Sequence, residues 1–457
     1  MPSGKCTATN GVLWIFAVGQ LGWAILSGIV TNLLVFFYHP GETALFEGQE
    51  IFITQRTFII FTVIGIISSF GRIFDAFTDP LIAGISDRFR GRLGRRIPFM
   101  RYSALPFGLV TVLMFISPVN GSSPLNVAAL SVCVILFYFC LTCYCIPYNA
   151  LIPELGRTQE MRINLSTYIS LTYFMGTALA YVVPAISEMF RDSLGYAGSY
   201  RAAIAILTVI AVVCMLVPAF LIDENKYADT SPSETPALRS LASTFRNREF
   251  RTFVASDVLY WIALTLFQTG LLYYVTELLG LSASSSTVLF MVMSILSLCF
   301  YPAVNVLSKR VGKKKLIAFA FADFSLAFLV TGFAGKTPLP GMAYGILIAV
   351  MAALPMAILG ILPQAVVADI AEQDKLVSGE SRHGMFYAAR TFSFKLGQSV
   401  GLLIFTSVAG IGRNSGMGYR LTAVIAAVLC LLGGIVFLRY NETKVMSQIT
   451  ASDNDDK

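Results

Sequence analysis

Long apolar runs broken by short polar ones set the pattern of this chain. Twelve runs stand out, near residues 12–38, 56–85, 98–118, 125–151, 164–186, 201–222, 250–278, 285–308, 315–334, 341–368, 384–411 and 418–439. A bilayer-spanning helix needs roughly 20 apolar residues, so each run reads as one crossing. The breaks carry turn signals such as HPGE, NGSSP, GKTPLPG and GRNSGMG. The longest polar break, 223–249, is rich in Ser, Pro and Glu and suits a flexible linker. It divides the runs into two sets of six. The pattern predicts an all-α membrane protein with an N-terminal six-helix bundle over 1–222 and a C-terminal one over 250–440. The linker spans 223–249 and a tail follows over 441–457.

Composition agrees. The chain is 56% hydrophobic and 13% charged, where soluble domains carry about 25% charged residues. The net charge of +7 matters less than its placement. Arg88, Arg90, Arg92, Arg95 and Arg96 follow the second run, and Lys309, Arg310, Lys313, Lys314 and Lys315 follow the eighth. The linker holds Lys226, Arg239, Arg246 and Arg248. Of the alternate breaks, 39–55 and 119–124 hold no Lys or Arg, and 335–340 holds only Lys336. This asymmetry predicts a multi-pass protein of the plasma (inner) membrane with both termini and the linker in the cytoplasm. The start, MPSGKCTATN, has one lysine, and the apolar run after it is too long for a signal-peptide core, so the first helix is expected to stay as an anchor.

The two sets of six share an internal repeat. DPLIAGISDR (79–88) and YPAVNVLSKR (301–310) carry Pro, Ser and Arg at the same offsets. NALIPE (149–154) and QAVVAD (364–369) each end a fourth run with an acid. Weak symmetry of two six-helix halves is the mark of alternating-access transporters.

Charge inside the apolar runs is the next clue. Arg72, Asp75 and Asp79 are spaced three and four apart and share one helix face. A charge at mid-bilayer costs roughly 2.5–3.5 kcal/mol, so three on one face belong against protein or a watery cavity. Two carboxylates one turn apart repel, and a proton or metal ion between them relieves that. Thr78 lies beside them, and Pro80 leaves the Ala76 carbonyl without its usual helical donor. Hard cations take oxygen ligands of this kind. The stretch therefore predicts a site for Na⁺ or H⁺, with Asp75 and Asp79 as the metal ligands if the ion is Na⁺. A structural Arg–Asp pair is the competing reading, but one carboxylate would suffice for it. Lys395, in RTFSFKLGQ, is a second intramembrane charge, expected near the two aspartates and able to stand in for the cation. Asp257, with Tyr260, Trp261 and Gln268, makes a polar and aromatic face that suits either a ligand or helix packing. Asp323 reads as structural. Cys140, Cys143 and Cys145 share one run, but with only His39 and His383 in the chain they read as packing residues.

These residues resemble a known family. GRIFDAFTDPLIAGISDR followed by GRLGRR is similar to the second helix and following loop of the glycoside–pentoside–hexuronide:cation symporters, a group of the major facilitator superfamily. IPYNALIPEL resembles their fourth helix, and LPQAVVADIAEQD with GESRHGMFYAARTFSFKLG resembles their tenth and eleventh. The resemblance implies the major facilitator fold, twelve transmembrane helices in two six-helix halves, and a cation site at Asp75, Asp79, Thr78 and Thr142. Lys395 and Arg72 would serve coupling. It also marks departures. Sugar-transporting members have a Thr three residues before an Asp, where this chain has Thr142 and Cys145. Asn149 stands at the place of an aromatic near the sugar. The first helix, AVGQLGWAILSGIVTN, has no acid, and Ser170 falls about where the family's fifth-helix Arg would lie. The cation half of the pattern is kept and the galactoside half is not. Some animal relatives carry lysophospholipids, which keeps an amphiphile open as solute.

A solute face is expected from Gln20, Trp23 and Asn32 in the first helix, with Cys145 and Asn149 in the fourth and Ser170 and Tyr173 in the fifth. The second half would add Asp257, Trp261, Gln268, Gln364 and Tyr387, as aromatics and amides suit a polyhydroxylated ligand. Asp87, Arg88, Arg95, Arg96, Glu154, Arg162 and Asp369 are expected to form a cytoplasmic gate, with Arg157 nearby. The expected function is cation-coupled import of a small solute, a sugar or glycoside, by alternating access; the alternative solute is a lysophospholipid. The expected partners are that solute, a monovalent cation and the bilayer, with no cofactor and no nucleic acid, in a monomer. An enzyme is not expected: no His-rich metal set or nucleophile elbow is present, and GKT at 335–337 lacks the upstream glycine of a P-loop. A non-transporting receptor or scaffold would have no need for the aspartate pair.

Overall fold

Apolar runs of this length can satisfy their backbone in lipid only as helices, and helices are what they form, except at the start of the second run, where Thr57–Phe58 and Phe61–Thr62 form two short strands ahead of the helix. The computed structural model describes residues 8–55, 57–58, 61–156, 159–227, 244–378, 383–412 and 415–455. Among them are twelve long helices. In the first half these are α1 (Asn10–Tyr38), α2 (Val63–Arg88), α3 (Ile97–Leu113), α4 (Pro124–Leu155), α5 (Gln159–Ala180) and α6 (Val183–Leu221). In the second they are α7 (Arg248–Tyr273, continued by a π turn at Tyr274–Leu278), α8 (Ser285–Val311), α9 (Lys313–Gly332), α10 (Gly341–Ser378), α11 (His383–Ala409) and α12 (Met417–Phe437). A shorter helix, α13 (Glu442–Asp455), follows. Among the described residues nine stretches are long and apolar enough to cross a membrane; α2, with Arg72, Asp75 and Asp79 in its middle, is not one of them.

The starts follow local chemistry. Ser123 Oγ accepts from the Leu125 N–H at 3.2 Å with Pro124 in the first turn of α4, and Asn247 Oδ1 accepts from the Phe250 N–H at 3.2 Å at the start of α7. The expected loop between the fifth and sixth runs is a correction. Residues 187–200 are helical, and α6 begins at Val183. A single break falls at Gly195, whose φ of 67° suits a residue without a side chain. The polar stretch EMFRDS (188–193) had the composition of a loop but forms helix ahead of that break.

The chain divides into two units, residues 1–58 with 66–235, and 59–65 with 236–457. In the first, α1 packs between α5 and α6. Gly22 is needed there, because a Cβ on it would sit 2.3 Å from the Ala211 carbonyl oxygen of α6. Tyr144 donates to the Met215 carbonyl at 2.9 Å and Tyr148 to that of Phe16 at 2.9 Å, tying α4 to α6 and α1.

Each unit also holds its third helix at both ends. The N-terminus of α3 presents the Arg96 and Ile97 N–H groups to the buried Glu224 carboxylate, at 2.8 and 2.9 Å. Past its C-terminus, Arg201 of α6 donates to the Phe115 carbonyl at 2.8 Å and Tyr38 to that of Met114 at 2.7 Å. In the second unit Glu442 accepts from Lys313 and Lys314 N–H, at 2.8 and 3.0 Å, where α9 begins. Arg420 of α12 donates to the Gly332 and Ala334 carbonyls, at 3.0 and 2.6 Å, where α9 ends. An acid at the positive end of a helix and a guanidinium at the negative end satisfy orphan backbone groups and complement the dipole. The repeat seen in short sequence matches thus extends to contacts.

Candidate functional site

Asp75, Thr78 and Asp79 lie along one face of α2, and Thr142 meets them from α4. The helix continues through Pro80. Thr142 Oγ1 is 2.9 Å from Asp75 Oδ1, 3.3 Å from Asp79 Oδ1 and 3.2 Å from Thr78 Oγ1. Asp75 is 1% exposed, Thr78 and Thr142 are buried, and Asp79 is half-buried. A hydroxyl carries a single hydrogen, so Thr142 can donate to only one of these three oxygens at a time. The Thr78 hydroxyl is within reach of the Phe74 and Asp75 carbonyls, both at 3.1 Å, which gives its own hydrogen a backbone acceptor. The four side chains together form an oxygen-rich cluster poor in protons. That is the donor set a proton or a small hard cation takes.

Arg72 shares the α2 face, but its described contacts point elsewhere. It donates to Thr31 Oγ1 of α1 at 2.7 Å, and its guanidinium lies 5.5 Å from the Tyr138 ring centre. Lys395 is half-buried on α11, in the second unit.

The predicted solute residues divide between the units. In the first, Gln20 and Asn32 are buried, as is Cys145, while Asn149 and Ser170 are exposed. Trp23 and Tyr173 are brought together, with ring centres 5.9 Å apart and planes at 52°. In the second, Tyr387 donates to the Gln364 carbonyl at 3.2 Å, Gln268 is half-buried, and Trp261 stacks on Phe394 at 4.7 Å. Asp257 is held by a side chain the sequence reading missed. Arg390 of α11 reaches both of its oxygens, Nε to Oδ2 at 2.8 Å and Nη2 to Oδ1 at 3.0 Å. A buried carboxylate in an apolar run calls for a cation, and that was the available signal. The partner, 133 residues away, was not readable from spacing.

The residues assigned to a gate form pairs inside each unit. Glu154 of α4 pairs with Arg95, at 3.1 Å, and with Arg96. Asp369 of α10 pairs with Lys313. These described pairs each lie within one half. Arg88 is exposed. The side chains of Asp87 and Arg162, with Arg157 and linker residues 228–243, lie outside the described residues. Glu224 and Glu442, absent from the expected set, complete the two clusters by capping α3 and α9.

Twelve helices in two sets with duplicated clamps, and a pair of carboxylates on one face of α2, define a narrow class. Residues 15–444 match the family described as MFS/sugar transport protein. The chain belongs to that family. The resemblance to the glycoside–pentoside–hexuronide:cation symporters holds, and the protein is a multi-pass membrane transporter, not an enzyme. Among its relatives, the symporter YnaJ of Bacillus subtilis is 23% identical over 461 residues, covering 97% of this chain and 94% of the relative. The isoprimeverose transporter of Lactiplantibacillus pentosus is 22% identical, covering 82% of this chain and 74% of the relative. The sodium-dependent lysophosphatidylcholine symporter 1 of Xenopus tropicalis is 24% identical, covering 82% and 79%. The solved structure of the nucleoside transporter NupG superposes with a TM-score of 0.66 at 13% identity, covering 94% of this chain and 99% of that one. At that identity the likeness speaks for the major facilitator fold alone.

Proposed function

We propose that the protein is a cation-coupled symporter that imports a small polyhydroxylated solute, a sugar or glycoside, by alternating access. The coupling ion, Na⁺ or H⁺, binds at Asp75 and Asp79 with Thr78 and Thr142, and Lys395 couples its site to the transport cycle. The observation that carries this reading is the contact of one Thr142 hydroxyl with both carboxylates, 2.9 and 3.3 Å away, in a helix that otherwise reads as membrane. Relatives named as symporters support it. The polypeptide works as a monomer with its termini and linker in the cytoplasm, where the basic breaks belong. Its domains follow the repeat, six helices on either side of a linker.

A second reading has a specific basis. The first helix carries no acid, and the Xenopus relative carries a lysophospholipid by name. An amphiphile would need fewer hydroxyl-binding groups than a sugar. The test is uptake into proteoliposomes of a panel of sugars, glycosides and lysophosphatidylcholine, each with and without an imposed Na⁺ or proton gradient. Gradient-dependent accumulation of a sugar or glycoside is expected. Accumulation of the lysolipid alone would select the second reading, and no gradient dependence for any solute would overturn both.

A further inference from the structure

The seam between α7 and α11 carries a device outside the cation cluster. Arg390 forks onto Asp257, and the two side chains are only 6% and 4% exposed. The guanidinium also lies 5.6 Å from the Phe253 ring centre. One helical turn further on, Phe394 stacks on Trp261 with ring centres 4.7 Å apart and planes at 23°. Further still, two glycines let the backbones touch. A Cβ on Gly397 would lie 3.1 Å from the Val258 carbonyl oxygen, and one on Gly401 would lie 3.0 Å from that of Ile262. Arg390, Phe394, Gly397 and Gly401 follow at intervals of four, three and four, so they form one stripe of α11 turned to α7.

A stripe built this way resists rotation of α11 about its own axis. Ring stacks and glycine contacts can slide, but a bidentate guanidinium–carboxylate pair is directional and has one good geometry. Stability is a poor reason for the pair, since a buried ion pair is commonly no better than well-packed apolar groups of the same volume. Fixing a register is the better-attested use of such pairs. The residue that depends on this register is Lys395, next to Phe394 and so about 100° around the helix from the stripe.

We propose that Asp257 and Arg390 are positioning residues: their pair fixes the axial rotation of α11 and so aims Lys395. They set the coupling behaviour without touching the cation. The proposal rests on the reading of Lys395 as a coupling residue, and its test keeps the two apart.

The test is the acylation rate of Lys395 by acetic anhydride in the full-length protein in nanodiscs, read peptide by peptide by mass spectrometry. Lys309 and Lys444, exposed and away from the seam, serve as internal references. In the neutral pair Asp257→Asn with Arg390→Gln, the Lys395 rate should change at least fivefold while the reference rates stay level. The charge-exchanged pair Asp257→Arg with Arg390→Asp should bring it back to within twofold of the parent. Should the neutral pair fail to fold, the single Asp257→Glu change is measured, with a smaller shift in the same direction expected. An unchanged Lys395 rate in a folded variant overturns the proposal. A separate arm adds Na⁺, or lowers the pH with rates corrected by the reference lysines, in the parent protein. If neither changes the Lys395 rate, the coupling role of Lys395 fails while the positioning claim still stands or falls on the variant rates.

Discussion

The two halves share a frame and differ in what the frame holds. Both clamp their third helix with a carboxylate at its N-terminus and a guanidinium at its C-terminus, Glu224 and Arg201 in one, Glu442 and Arg420 in the other. Both carry Pro at the same place in their second helix, Pro80 and Pro302. Yet where α2 has Arg72, Asp75 and Asp79, α8 has Ser294, Ser297 and Tyr301 at the matching offsets. The second half places its buried carboxylate on another helix, Asp257 of α7, and joins it to a guanidinium. In the first half, Asp75 and Asp79 share the Thr142 hydroxyl. Two carboxylates one turn apart that share a hydroxyl form an oxygen set of the kind a hard cation takes. The difference teaches that the frame was duplicated and the aspartate pair was not.

The comparison can be broken in several ways. Replacing Asp75 by Asn removes a charged ligand, an interaction worth about 1.5–3 kcal/mol, so the half-saturating concentration of the coupling cation should rise about 10–100-fold. Cation-dependent uptake in proteoliposomes reads this. Thr142→Val deletes one hydroxyl, worth about 1 kcal/mol, and should raise that concentration roughly fivefold. Glu224→Ala and Glu442→Ala should each cost about 1 kcal/mol of stability through the lost helix cap, seen as similar drops in thermal midpoint. Very unequal drops would say that the two clamps are not equivalent. Smallest of all, Tyr301→Phe, at the position matching Asp79, should leave the cation dependence of uptake unchanged.

Much of the fold was legible because lipid imposes a simple rule. A run of some 20 apolar residues has few fates, and the twelve runs match the twelve helices apart from the stretch at 187–200 and the start of the second run, where 57–58 and 61–62 are strand. The stretch at 187–200 was not readable because its polar residues satisfy loop and helix alike. Of the cation cluster, Asp75, Thr78 and Asp79 could be placed on one face from spacing. Thr142, 67 residues away from Asp75, came only through resemblance to a family. The clamps lie further beyond reach, since Glu224 meets Arg96 across 128 residues and nothing local to either announces the contact. Arg390 was hidden for the same reason.

The most direct test of the cation cluster compares two modes of transport in the same vesicles. Solute accumulation against its gradient needs the coupling cation, whereas exchange of internal for external solute needs only the solute pathway. At cation concentrations that half-saturate the parent, proteoliposomes carrying Asp75→Asn or Asp79→Asn should lose most of the accumulation driven by a Na⁺ or proton gradient and keep exchange. Full gradient-driven accumulation in both variants would contradict the account.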